Sequence, residues 1–156
     1  MTLRRFTRRL ARSQAGNALI EFAIMAPVLT LLLIGVIEIG RFTYYSILAA
    51  NAARAGAQYG AQNITTAADN PGIISAASQD GQSLSNWSGN ITPTELCSVS
   101  GAAPAACSVG GSGPPVNTIY YVQVQVSGQF QTLLKYPLIP SQVTVRGNST
   151  MRVASQ

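Results

Sequence analysis

The sequence contains no histidine, a single lysine (Lys135), two cysteines and only five acidic residues among 156. Without histidine, the commonest general base and the commonest nitrogen ligand for zinc are both missing. The thiolates of Cys97 and Cys107 alone do not complete a tetrahedral metal site. No glycine-rich phosphate loop stands between a strand and a helix, and no sequence pattern joins a serine to a base. A catalytic role therefore has little to stand on. The expectation is a protein that is not an enzyme and holds no metal or cofactor.

Charge is scarce, at 10% of residues, and unevenly placed. Arg4, Arg5, Arg8, Arg9 and Arg12 all precede Gly16 with no acid among them, and they account for the formal net charge of +5. Beyond Gly16, the bases Arg41, Arg54, Lys135, Arg146 and Arg152 balance the acids Glu21, Glu38, Asp69, Asp80 and Glu95. Basicity thus belongs to a short leader. It abuts an apolar run and has no aromatic interleaving, so a nucleic-acid partner is not expected. Beside a membrane segment, such arginines stay cytoplasmic and send the C-terminal part outward.

The apolar run is the stretch on which the chain is organised. Every residue from Phe22 to Ile37 is uncharged, with Glu21 at the front edge and Glu38 closing it. As a helix, Leu19–Ile39 would span roughly 30 Å, about one hydrocarbon core. Spanning length is reached only by including Glu21. A carboxylate at the lip of a membrane segment is costly enough to imply a function. Pro27, inside the run, predicts a bend. Ala50-Asn51-Ala52 offers small residues to a conventional signal peptidase, but it lies well past the run, beyond Glu38 and Arg41.

The helical pattern continues from Phe42 to about residue 62, rich in alanine and free of proline. Ala49, Ala52, Ala53, Gly56, Ala57, Gly60 and Ala61 fall largely on one face, which could pack on the domain's own sheet or on another subunit. From 63 to 115 the composition turns to Ser, Thr, Asn, Gly and Pro, with turn signals at Asn70-Pro71-Gly72, Asp80-Gly81 and Gly110–Pro115. A short helix is expected over 73–84, and Trp87 is expected in a small core. Asn63, Asn86, Asn90 and Asn148 each open an Asn-x-Ser/Thr triplet, which carries no weight outside a eukaryotic source. Cys97 and Cys107 lie in what reads as a loop. In an exported chain, such a pair is expected to be a disulfide.

Alternation of Tyr120, Val122, Val124 and Val126 with Tyr121, Gln123, Gln125 and Ser127 predicts a half-buried strand. Gly128 suggests a bend and 129–134 a second strand. Tyr136–Pro140 reads as a loop. Residues 142–153 read as another strand, with Val143, Val145, Gly147, Ser149, Met151 and Val153 on one side. An antiparallel sheet laid on the outer half of the long helix is the simplest way to bury these faces. The fold class expected is α+β.

Gly16-Asn17-Ala18-Leu19-Ile20-Glu21-Phe22, the apolar run after it, Ile37-Glu38-Ile39-Gly40-Arg41 and Asn51–Ala57 together resemble the TadE-like minor pseudopilins of tight-adherence (Flp-type) pilus systems in bacteria. The resemblance is most specific over residues 14–60. It implies cleavage by a prepilin peptidase between Gly16 and Asn17, with Glu21 as the fifth residue of the mature chain. It also implies that Glu21 neutralises the new amine of a neighbouring subunit, and that Phe22 marks a minor component. Asn17 departs from the phenylalanine common at this place in type IV pilins, which leaves N-methylation open. The implied partners are the peptidase, other pilins and pseudopilins, the assembly platform and inner-membrane lipid.

The organisation expected is a leader at 1–16, a transmembrane helix at 17–40, a helical extension at 41–62 and a periplasmic α+β head at 63–156. The competing expectation is an uncleaved bitopic protein serving as a periplasmic scaffold in an envelope machine.

Overall fold

The computed structural model describes residues 14–81, 90–107, 117–133 and 141–154. The arginine-rich leader, Trp87, the Gly110–Pro115 turns and the Tyr136–Pro140 loop anticipated above lie outside the described residues. The chain divides after Gly40 into two compact units. Helix α1, Gln14–Gly60, contributes to both. It passes through Pro27 without interruption and ends close to the residue the alanine content predicts.

In the second unit, two short helices follow. Helix α2 spans Ile64–Ala67 and helix α3 spans Asn70–Asp80, the latter near the helix expected over 73–84. Asn63 caps α2 through a reciprocal pair of bonds. The Thr66 amide donates to Asn63 Oδ1 at 2.8 Å, and the Asn63 amide donates to Thr66 Oγ1 at 3.1 Å. Such a box satisfies two helix-end donors that would otherwise lack partners. Strands β1 (Asn90–Val99), β2 (Ala105–Ala106), β3 (Thr118–Gln131) and β4 (Gln142–Arg152) form one antiparallel sheet in the order β2-β1-β3-β4. The α+β architecture is as anticipated.

Two local expectations need correcting. Gly128 does not bend the chain. It pairs with Val145, the ladder continues through Phe130 paired with Val143, and β3 is a single strand. The alternation that buries Val122, Val124 and Val126 reaches Phe130 in the same phase, and this fixes the register more firmly than one glycine loosens it. The segment read as loop around Cys97 is strand β1. Its core-side residues Ile91, Pro93, Glu95 and Cys97 give no apolar alternation to read, and Pro93 argues against a strand. The proline is tolerated because β2 lies alongside β1 only at Leu96 and Cys97, so Pro93 stands on an edge.

The core joins the small face of α1 to the sheet. Ala52, Ala53, Ala57, Ile73, Val122, Val124, Val126 and Val153 form one buried cluster. Ala49, Phe130 and Val145 form a second. Glycine in α1 brings the layers close. A Cβ on Gly56 would stand 3.1 Å from that of Ala77 and 3.2 Å from the Ile73 carbonyl oxygen, and one on Gly60 would stand 2.9 Å from Val122 Cγ1. Of the two packing roles open to this face, the structure uses it within its own domain. The C-terminal side closes on it, with the Val153 amide donating to the Tyr120 carbonyl and the Ala154 amide to the Ala61 carbonyl, each at 2.9 Å.

Candidate functional site

Residues 16–40 carry the candidate site. A helix of a globular domain buries one stripe of its surface. This segment buries none, and its apolar side chains point outward all round. Leu19 is 69% exposed and Phe22 67%, and Ile24, Leu29, Leu32, Val36 and Ile39 resemble them. The segment is long and apolar enough to cross a bilayer. Thr30, the one hydroxyl between Phe22 and Ile37, donates to the Ala26 carbonyl at 2.8 Å and so carries no unmet donor into lipid. The chain is compatible with a single-pass membrane anchor.

Gly16, Asn17, Glu21 and Phe22 sit together at the start of this segment, all within helix α1 and all exposed. Asn17 and Glu21 are four residues apart, one above the other on the same helix face, about 6 Å along the axis. Gly16 stands one residue before Asn17, and a Cβ built on it meets nothing within 4 Å. Glycine inside a helix costs about 1 kcal/mol relative to alanine. The backbone at Gly16 is therefore less favoured as helix than its alanine and leucine neighbours. Among the described residues, no side-chain hydrogen bond or ion pair engages the Glu21 carboxylate. A carboxylate at the lip of an apolar helix is costly enough to imply a function.

The cysteines lie in the other unit. Cys97 on β1 and Cys107, one residue past β2, are joined by a disulfide with a Cα–Cα distance of 5.6 Å. That spacing is ordinary for the bond. The intervening hairpin turns through Ser100 (φ 50°) and Gly101 (φ 79°), and the buried Ser98 hydroxyl donates to the Ala102 carbonyl. Among the described residues, no group of three or more acidic, cysteine or histidine side chains gathers as for a metal ion.

One constellation escaped the sequence. Asp69, N-cap of α3, accepts from the Gly72 amide at 3.1 Å and from the Tyr59 hydroxyl at 2.7 Å. These bonds, the tyrosine's first, hold the Asp69 carboxyl below its ordinary value, while the same bond raises the Tyr59 phenol. Asp69 stands at the N-cap of α3 with Gly72 three residues on, so the cap was legible. The tyrosine, ten residues earlier on α1, was not.

Residues 16–58 match the family model described as TadE-like protein, the family that the sequence resembles. The match begins at Gly16 and stays within α1. No curated protein and no solved structure matches the chain.

Proposed function

We propose that this chain, TadE-like over residues 16–58, is a minor pilin or pseudopilin that acts in assembly of a tight-adherence (Flp-type) pilus. It is made as a single-pass protein of the bacterial inner membrane, with its N-terminus in the cytoplasm and its C-terminal domain in the periplasm. Prepilin peptidase cuts between Gly16 and Asn17. The role is structural, with no catalysis and no cofactor. Its partners are the peptidase, other pilins and pseudopilins, the assembly platform and membrane lipid.

The observation that carries this reading is Glu21, exposed at the start of an apolar helix and, among the described residues, without a partner in its own chain. Cleavage before Asn17 creates an amine one helical turn from the carboxylate. In a single chain that places the two charges at the end of the same helix. Among parallel copies offset along the axis, the amine of one meets the carboxylate of the next. Such a pair, buried among apolar helices, selects one axial offset, since every other offset leaves both charges unpaired.

N-terminal sequencing of the exported protein tests the reading. The expected first residue is Asn17. A chain that retains Met1 or Leu3 would instead be the uncleaved scaffold, and the pseudopilin assignment would fall.

A further inference from the structure

Beside this membrane reading, and resting on it, we infer that Arg41, Phe42, Tyr44 and Leu133, backed by Tyr45 and the buried Phe130, form a contact surface for phospholipid headgroups. Arg41, Phe42, Tyr44 and Tyr45 follow Gly40, the end of the apolar segment. The interfacial layer on each side of a bilayer is about 5–7 Å thick, and residues 41–45 of a helix rise about 6 Å. These side chains therefore occupy the depth at which aromatic residues and snorkelling arginines concentrate.

The sheet adds residues that the sequence does not place there. The far end of β3 delivers Phe130 to this turn of α1, where it is 4% exposed. The Arg41 guanidinium carbon lies 5.2 Å from the Phe130 ring centre. Phe42 and Tyr45 meet the same ring edge-on, at 5.7 and 5.4 Å between centres. Tyr44 stacks edge-on against Tyr45 at 6.1 Å. Phe130 is thus a buried plug that fixes the helix turn against the strand end.

The rim of the cluster is left uncovered by its own domain, with Phe42 38% exposed and Tyr44 55%, and Leu133, two residues past the end of β3, is 63% exposed. A few turns further along α1, the same domain buries Ala49, Ala53 and Ala57 completely. Large apolar groups lie open here while small ones are buried there. That is the reverse of packing for water, and it fits a surface facing the acyl–headgroup boundary. A guanidinium beside an aromatic face is weakly hydrated and suited to phosphate oxygens, and tyrosine hydroxyls reach the same layer.

The test uses the full chain in vesicles of phosphatidylethanolamine and phosphatidylglycerol. An environment-sensitive fluorophore is attached at Leu133→Cys and, separately, at Thr150→Cys. Thr150 pairs with Gln123, about 23 Å from Phe130 along β3. The label at 133 is expected to show blue-shifted emission and loss of intensity with shallow spin-labelled lipid, and the label at 150 neither. Adding Phe42→Asp and Tyr44→Asp, both at exposed positions, should abolish the quenching at 133. Water-like, unquenched emission at 133 overturns the inference, as does quenching that survives the double substitution. A blue shift without lipid quenching also overturns it, because the patch would then be covered by protein. A chain that fails to float with the vesicles overturns the membrane reading together with this one.

Discussion

Gly147 of β4 meets Ala49 of α1 backbone to backbone: a Cβ on the glycine would overlap the Ala49 carbonyl. No rotamer relieves that overlap, because the obstacle is main chain. Gly147→Ala should therefore destabilise the domain by about 1–3 kcal/mol or more, the usual cost of overpacking a filled interior. Gly40→Ala, with nothing within 4 Å of the new Cβ, should not lower the unfolding midpoint, and the better helix propensity of alanine should if anything raise it. Equal melting temperatures for the two variants would show that the helix and strand do not touch in this way.

The bond between Tyr59 and Asp69 makes stability depend on pH at both extremes. The folded state holds Asp69 below its ordinary value of 3.8, so its contribution is complete above that value and lost as pH falls through the lower folded one. Tyr59 is raised above its ordinary 10.0, so its contribution is present below that value and lost as pH rises past the folded one. The thermal midpoint of Asp69→Asn should lose the acid step and keep a smaller alkaline step, because burial still raises the Tyr59 phenol. Tyr59→Phe should keep a smaller acid step from the Gly72 amide. Identical pH profiles for wild type and Asp69→Asn would refute this account.

Cys97 and Cys107 should resist alkylation until a reductant is added, as read by mass spectrometry of the unfolded, unreduced protein. Closing a loop of this length contributes about 3 kcal/mol on chain-entropy grounds, so reduction should lower the unfolding midpoint measurably. Both thiols alkylated without reductant would mean that the domain never met an oxidising compartment.

Gly16 and Glu21 should fail at different stages. Nothing among the described residues obstructs a side chain at Gly16, so Gly16→Leu tests the peptidase and not the fold. It should accumulate at full length in the membrane. Glu21→Ala should be cut yet poorly incorporated, because it removes the partner for a neighbour's amine while easing residence in lipid. Immunoblots of processing and of the pilus fraction separate the two stages. Normal assembly of Glu21→Ala would sink the charge-pairing mechanism.

What the sequence revealed was what depends on period and composition. The apolar run after Glu21, the alanine face of α1 and the valine alternation from Val122 to Val126 each repeat a short-range rule, and each appears in the structure. β1 stayed hidden because its core side carries Pro93, Glu95 and Cys97. It is held as a strand by ten residue pairings with β3, which lie at long range in the sequence. The gathering of Phe130 beneath Arg41 and Tyr45 was invisible for the same reason, since it follows from the register of β3 on β4. Gly128 misled because a glycine in a strand is ambiguous until its partner, Val145, is known.

The hydrogen bond from Ala154 to Ala61 has a kinetic meaning. The core's first half, the small residues of α1, is synthesised well before its second half, β3 and β4, and the last bond closes beside Val153. Contacts this distant in sequence form slowly, because loop-closure entropy must be met before they give any return. The hairpin of β3 and β4 can form early, since Gln131 and Gln142 are close in the chain. The alanine face of α1 must wait for it. Until the residues around Val153 have emerged, the alanine face of α1 is a surface without the strands that cover it.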